Sequence, residues 1–205
     1  MTQLLITQSL ISSWSYMYDC FEGCEEDAYN DFLRTLRREP CEQTEAMLNG
    51  IAFENEVYKE AQGKPRTPHE KWEKGIKAVA AVLKDAPVQI PMSRVLDIGG
   101  YDLLVYGVLD ALKAGVIYDV KFISKSFGSA ELAGKYLNSP QHPAYLYMLP
   151  AAREFTYLVS DGEDLYTETY TRAETRPFEE IALEFLRSLE EMNLIDLYKE
   201  KWQTK

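Results

Sequence analysis

In the run Tyr118-Asp119-Val120-Lys121-Phe122, a carboxylate and an ammonium stand two residues apart. A strand sends alternate side chains to one face, so Asp119 and Lys121 point one way while Tyr118, Val120 and Phe122 point into packing. A second acid, Asp110, closes the preceding strand. A two-residue turn centred on Ala114-Gly115 sets Asp110 directly opposite Asp119, whereas a three-residue turn misses by one position. Two carboxylates about 4 Å apart repel by roughly 4 kcal/mol at an effective dielectric near 20, so they must spread apart, take a proton or share a cation. Hard oxygen ligands suit Mg²⁺ or Mn²⁺, which can lower the pKa of bound water and polarise a phosphodiester. Lys121 is then placed to orient the attacking water or to offset charge growing on the phosphate.

The plain alternative makes Asp110 and Asp119 the solvated end of a hairpin and Lys121 a surface lysine. Against it, Lys121 is the one lysine with an acid two positions before it. It also falls on the strand where alternation makes that spacing useful.

Positioning these residues falls to a β-rich middle of the chain. After Pro87 the sequence reads as VQIPMSRVLDI, a Gly99-Gly100 turn, YDLLVYGVLDAL, a short Lys113-Ala114-Gly115 turn and GVIYDVKFI, an antiparallel meander. Two further strands are expected at Glu154 to Ser160 and Tyr166 to Thr171, around an Asp161-Gly162 turn. The first 85 residues read as helices, at Leu10 to Tyr18, Ala28 to Leu36, Ala46 to Tyr58 and Trp72 to Leu83, with no competing strand pattern. More helices are expected around Ala130 to Leu137, from Pro140 to about Leu149, and from Pro177 to Trp202 with a break near Asn193. This order implies a mixed α/β domain with one sheet flanked by helices. We expect a single domain over residues 1–205, comprising a helical part to 85, sheet and helices over 86–175, and C-terminal helices from 176.

The chain has 205 residues, 46% of them hydrophobic, enough to bury a core. No run of apolar residues is long enough to span a membrane, and the first residues lack the basic start of a secretory signal, so a cytoplasmic location is expected. Cys20, Cys24 and Cys41 give no disulfide framework, and with only His69 and His142 beside them an iron-sulfur cluster or structural metal is not expected. The net charge of −11 argues against a nucleic-acid partner, because phosphate binding depends on Lys and Arg. The charge is uneven, however: Lys113 to Arg153 carries five basic residues and two acidic ones. A locally basic channel that includes Lys125, Lys135 and Arg153 still admits DNA.

Taken together, GVLDAL, YDVKF nine residues further from acid to acid, and SPQHPAYLYML resemble the core of the PD-(D/E)XK nucleases, above all their phage-type and RecB-like exonuclease branch. The resemblance extends over roughly Leu48 to Met148. It implies a restriction-endonuclease-like core in which Asp110 is the strand-end acid, Asp119 and Lys121 form the (D/E)-x-K pair, and the Val120 carbonyl also faces the metal. GIAFENE resembles the branch's helical Gly-x-x-x-Glu element and nominates Glu54 as a further acid near the metals, with Glu56 on the surface because a helix turns about 200° in two positions. Gln141 and Tyr145 fit its Gln-x-x-x-Tyr element. Spacing of four puts both on one helical face, where the amide can hold a phosphate or water and the phenol can touch the DNA strand.

The resemblance therefore implies a Mg²⁺- or Mn²⁺-dependent DNA exonuclease that resects duplex ends in phage recombination. It also implies a homo-oligomer and a single-strand annealing protein as partner. The alternatives are an endonuclease or single-strand nuclease of the same fold, or a non-catalytic acidic mimic of DNA. A mimic has no use for a lysine at the centre of a carboxylate cluster.

Overall fold

A computed structural model of the chain describes residues 2–126 and 132–204. The strands are β1 (Leu4–Thr7), β2 (Val88–Ile98), β3 (Tyr101–Lys113), β4 (Val116–Phe122), β5 (Glu154–Ser160) and β6 (Leu165–Thr171). Among the described residues the helices are α1 (Gln8–Asp19), α2 (Glu25–Leu36), α3 (Glu45–Ala61), α4 (Glu73–Leu83), α5 (Gln141–Met148), α6 (Phe178–Glu191) and α7 (Ile195–Lys201). The expected α/β architecture, one mixed sheet flanked by helices, is what the chain adopts, and its β2–β4 meander with a parallel fifth strand matches a restriction-endonuclease-like core.

Turn chemistry sets the meander. Gly99 and Gly100 (φ 59° and 79°) close the β2–β3 hairpin, and Ala114 and Gly115 (φ 51° and 80°) close β3–β4, so both are two-residue loops with positive φ at each centre. The chain then passes through α5 and returns as β5, parallel to β4, and β6 folds back antiparallel to β5.

β3 has three partners, and their arrangement shapes the site. β2 runs along one edge of β3 for nearly its full length. The opposite edge is shared: β1 pairs in parallel with Leu103 to Tyr106, and β4 pairs antiparallel only with Ala111 to Lys113. Among the described residues, no strand therefore lies beside residues 107–110 of β3 on that edge.

Packing divides between the two sheet faces. One cluster holds Leu103, Val105, Leu109, Ile117, Phe155, Tyr157 and Val159 against α1, α5, α6 and α7. The other holds Ala111, Val120 and Leu158 against Phe53, Val57, Ile76 and Val79 of α3 and α4.

The structure departs from the sequence reading in two places. The all-helical N-terminal part contains β1, a four-residue strand too short to show alternation, which ends where the Thr7 hydroxyl caps α1 by accepting from Leu10 N–H at 3.3 Å. The sheet thus has six strands instead of five. The helix expected over Ala130 to Leu137 lies partly outside the described residues, and residues 133–138 are turns. The break near Asn193 is present: Asn193 has φ 58° and separates α6 from α7.

Candidate active site

Asp110 and Asp119 meet where the β3–β4 pairing stops. The register Ala111↔Tyr118, continued by one pair, sets Asp110 opposite Asp119. At that point the Asp110 side chain replaces the ladder: its Oδ2 accepts the Val120 N–H at 2.8 Å, a proton that a backbone carbonyl of β3 would otherwise take. Val120, expected at the metal through its carbonyl, is thus tied to Asp110 through its N–H.

Asp119 is 3% exposed and lies on the same face as Lys121. Lys121 Nζ is 2.8 Å from Asp119 Oδ2. Oδ2 is a buried carboxylate oxygen whose described partner is this ammonium. The other oxygen, Oδ1, accepts from Gln141 Nε2.

Gln141 and Tyr145 lie one turn apart on α5, and every residue of this helix is buried. Tyr145, expected to touch DNA, is 6% exposed. Its hydroxyl donates to the Val108 carbonyl at 3.0 Å, in the stretch of β3 that lacks a strand neighbour. A Cβ on Gly107 would lie 2.6 Å from Tyr145 Cε1, so the glycine lets the helix close on the sheet. His142, the residue after Gln141, makes a 3.2 Å hydrogen bond between its Nδ1 and the Tyr157 hydroxyl and stacks on Tyr170. Burial lowers its pKa to about 4, so it is neutral at pH 7.

Glu54 approaches from the other side. The Thr44 hydroxyl caps α3 by accepting from Met47 N–H at 3.2 Å, and Phe53 and Val57 bury that helix against the sheet, which leaves Glu54 half-buried at its edge. Glu54 Oε1 accepts from the Tyr58 hydroxyl at 2.6 Å and from Gln89 Nε2 at 3.1 Å. Glu56 turns instead to Lys59, at 2.6 Å. Glu54, Val120 and Lys121 line one open groove of about 440 Å³ with Met47, Gly50 and Phe122.

The electrostatics bind these groups into one system. Burial raises the Asp110 pKa well above the ordinary carboxylate value, and the charges of Asp119 and Glu54 add to the rise. Burial likewise raises Glu54, with Asp119 contributing. Burial opposes the Lys121 ammonium, yet Asp119 and Asp110 outweigh it, and the lysine holds its proton more tightly than usual. Tyr136 belongs to the same neighbourhood. Its ring stacks on Tyr157 at 4.2 Å, and its phenol, pushed up to about 12 chiefly by burial, feels the charges of Lys121 and Asp119.

Glu54, Asp110 and Asp119 were expected to converge as metal ligands. Among the described residues, no three His, Cys, Asp or Glu side chains form a ready metal-binding group. Glu54 is drawn to Tyr58 and Gln89, and Asp119 to Lys121 and Gln141, so the acids share a neighbourhood without a common shell. In kind, the donors suit a hard divalent cation, because the Asp119 carboxylate raises the proton affinity of Asp110 and Glu54 and all three supply hard oxygens.

Lys125 and Lys135 are exposed, on either side of residues 127–131, which lie outside the described residues. Lys135 reaches over the Tyr136 ring, and Arg153 donates to the Ala114 carbonyl at the β3–β4 turn. The three cysteines are free, and among the described residues no helix is long and apolar enough to cross a membrane. Tyr58, Gln89 and Tyr136 escaped the sequence reading. The one available signal was Tyr58, which stands a single helical turn after Glu54.

No protein-family model matches the chain, and no curated protein matches it. Similar solved structures include SSO0001, 14% identical over 94% of this chain and 77% of that one, with a TM-score of 0.48. LHK-Exo in complex with dAMP is 13% identical over 96% of this chain and 92% of that one, with a TM-score of 0.49. Rai1 of Scheffersomyces stipitis, in complex with (3'-NADP)+ and calcium ion, is 12% identical over 91% of this chain and 61% of that one, with a TM-score of 0.37.

Proposed function

We propose that the chain is a metal-dependent nuclease that hydrolyses phosphodiester bonds of DNA, with Glu54, Asp110, Asp119, Lys121 and Gln141 as its working residues. The observation that carries this reading is the meeting of Asp110, Asp119 and Lys121 where the β3–β4 pairing ends. A solvated hairpin end needs neither a buried carboxylate nor a lysine drawn in beside it.

Asp110 and Asp119 would hold a divalent cation, Mg²⁺ or Mn²⁺, and Glu54 would join them through Oε2, the oxygen that Tyr58 and Gln89 do not engage. The bound cation supplies positive charge and Lewis acidity beside the phosphate. Lys121, kept charged by its two acidic neighbours, faces the charge that grows on the phosphate oxygens as water attacks. Gln141 fixes the Asp119 carboxylate, and Tyr145 and Gly107 fix the helix that carries Gln141. Exposed Lys125 and Lys135, with Arg153 at the β3–β4 turn by the other end of β4, would supply the positive charge that draws DNA to the protein.

In its specific form the reading is an exonuclease that resects duplex ends for phage recombination, as a homo-oligomer and with a single-strand annealing protein. The deciding experiment incubates the protein with linear duplex, single-stranded and closed circular DNA, with Mg²⁺ or with EDTA. Loss of linear DNA alone, and only with Mg²⁺, is the expected result. Cutting of circular DNA makes it an endonuclease, and no cutting of any substrate refutes the nuclease reading.

A further inference from the structure

Gln89 lies in the middle of no core and yet has the backbone conformation that costs most in a strand. It is the second residue of β2, it is exposed, and its φ is +53°, in the left-handed region that non-glycine residues avoid. The β2–β3 ladder registers Val88 against Ala111 and Ile90 against Leu109, and between these pairs Gln89 stands level with Asp110 without pairing. Such an outlier persists only where its surroundings hold it, and it points toward a functional constraint.

The side chain shows what that constraint is. Gln89 Nε2 donates to Glu54 Oε1 at 3.1 Å and to the Tyr58 hydroxyl oxygen at 3.1 Å, while Tyr58 donates its own proton to the same Oε1 at 2.6 Å. Both protons of the amide and the one phenolic proton each have an acceptor within this triangle. No described hydrogen bond reaches Oε2. Glu54 is thereby pinned through one oxygen by donors from its own helix and from the sheet, 35 residues away in sequence, at the rim of the groove it shares with Lys121.

We propose that Gln89, together with Tyr58, is a positioning residue for Glu54: it holds one carboxylate oxygen so that the other is presented toward the Asp110–Asp119 pair. This inference rests on the nuclease reading. The left-handed turn at Gln89 is what aims the amide out of the strand and across to α3. Partners of this kind orient a metal-binding carboxylate, and losing one typically weakens metal affinity or turnover 10- to 100-fold.

The test uses the full chain and two variants that both lack the amide, Gln89→Ala and Gln89→Gly. Alanine keeps the strained φ, and glycine relieves it. Binding of Mn²⁺ is followed by electron paramagnetic resonance of the free ion. The kcat and KM are measured on linear duplex DNA with Mn²⁺, and thermal melting is recorded for each protein. Both variants are expected to lose about 10- to 100-fold in Mn²⁺ affinity and kcat, with KM for DNA little changed. The glycine variant is expected to melt about 2 to 4 °C above the alanine variant. Activity and stability thus part company. Wild-type Mn²⁺ affinity and kcat in both variants overturn the proposal, as does activity that follows melting temperature, with glycine restored and alanine impaired. A wild-type protein that neither binds Mn²⁺ nor cuts DNA overturns the nuclease reading, and the inference falls with it.

Discussion

Replacing His142 by glutamine should abolish a specific part of the protein's acid sensitivity. His142 is 2% exposed, bonded to Tyr157 and stacked on Tyr170 at 4.2 Å, and burial holds its pKa at about 4 against an ordinary 6.5. Between those values the unfolded chain takes up a proton that the folded one refuses, so stability rises with pH across this window. The contribution is complete above about pH 6.5 and is lost as pH falls toward 4. Linkage puts the loss at about 2 kcal/mol by pH 5 and about 3 kcal/mol by pH 4. The raised pKa values of Asp110 and Glu54 act in the opposite direction, because the folded state protonates those acids first. Comparing wild type with His142→Gln cancels their effect. Glutamine can still reach Tyr157 but does not ionise, and its lost stacking adds an offset independent of pH. Urea denaturation at pH 7.5, 6 and 5 measures the gap between the two proteins. The variant's deficit should shrink by about 2 kcal/mol from pH 7.5 to pH 5. A constant gap would mean that His142 ionises as freely in the folded protein as in the unfolded chain, and the burial argument would fail.

Three further outcomes are expected. Lys121→Ala should lose about 10²-fold or more in kcat while keeping most of its DNA affinity, because a fixed ammonium there matters more to the transition state than to bound substrate; wild-type turnover with saturating DNA and Mg²⁺ would remove Lys121 from the site. DNA affinity should fall steeply with salt in spite of the acidic composition, and Lys125→Ala, Lys135→Ala and Arg153→Ala should each flatten that slope in a filter-binding titration; a flat response in the wild type would favour a protein partner. Gly107→Ala should cost about 1 to 3 kcal/mol in denaturant unfolding, since the new methyl would meet the Tyr145 ring at 2.6 Å, and it should lower activity through the displaced Gln141; an unchanged stability would show that α5 can shift without loss.

Local chemistry was enough to nominate the acids and the lysine of the candidate site. Period-two alternation put Asp119 and Lys121 on one face, and the sequence offered a two-residue turn at Ala114-Gly115, the one the structure adopts, that sets Asp110 level with Asp119. Both rules act over a few residues, where the backbone's own geometry decides the outcome. The break near Asn193 was legible for the same reason. Contacts between distant segments were not. β1 has four residues and exists because β3 offers it an edge, and no alternation can be read over so short a stretch. Tyr145 has the spacing of a residue that shares a face with Gln141, but whether that face meets DNA or β3 depends on the gap at residues 107–110. Gln89 reads as an ordinary strand residue, and its left-handed turn toward Glu54 appears only when α3 is packed across the sheet. The sequence by itself determined the type of Asp110, Asp119 and Lys121 and the shared facing of Asp119 and Lys121, and it narrowed the register of Asp110 to two choices between which the turn decided. Only the tertiary structure decided which partners hold Glu54, Asp119 and Tyr145, because those partners lie on other elements and are chosen by packing and by the need to satisfy buried polar groups.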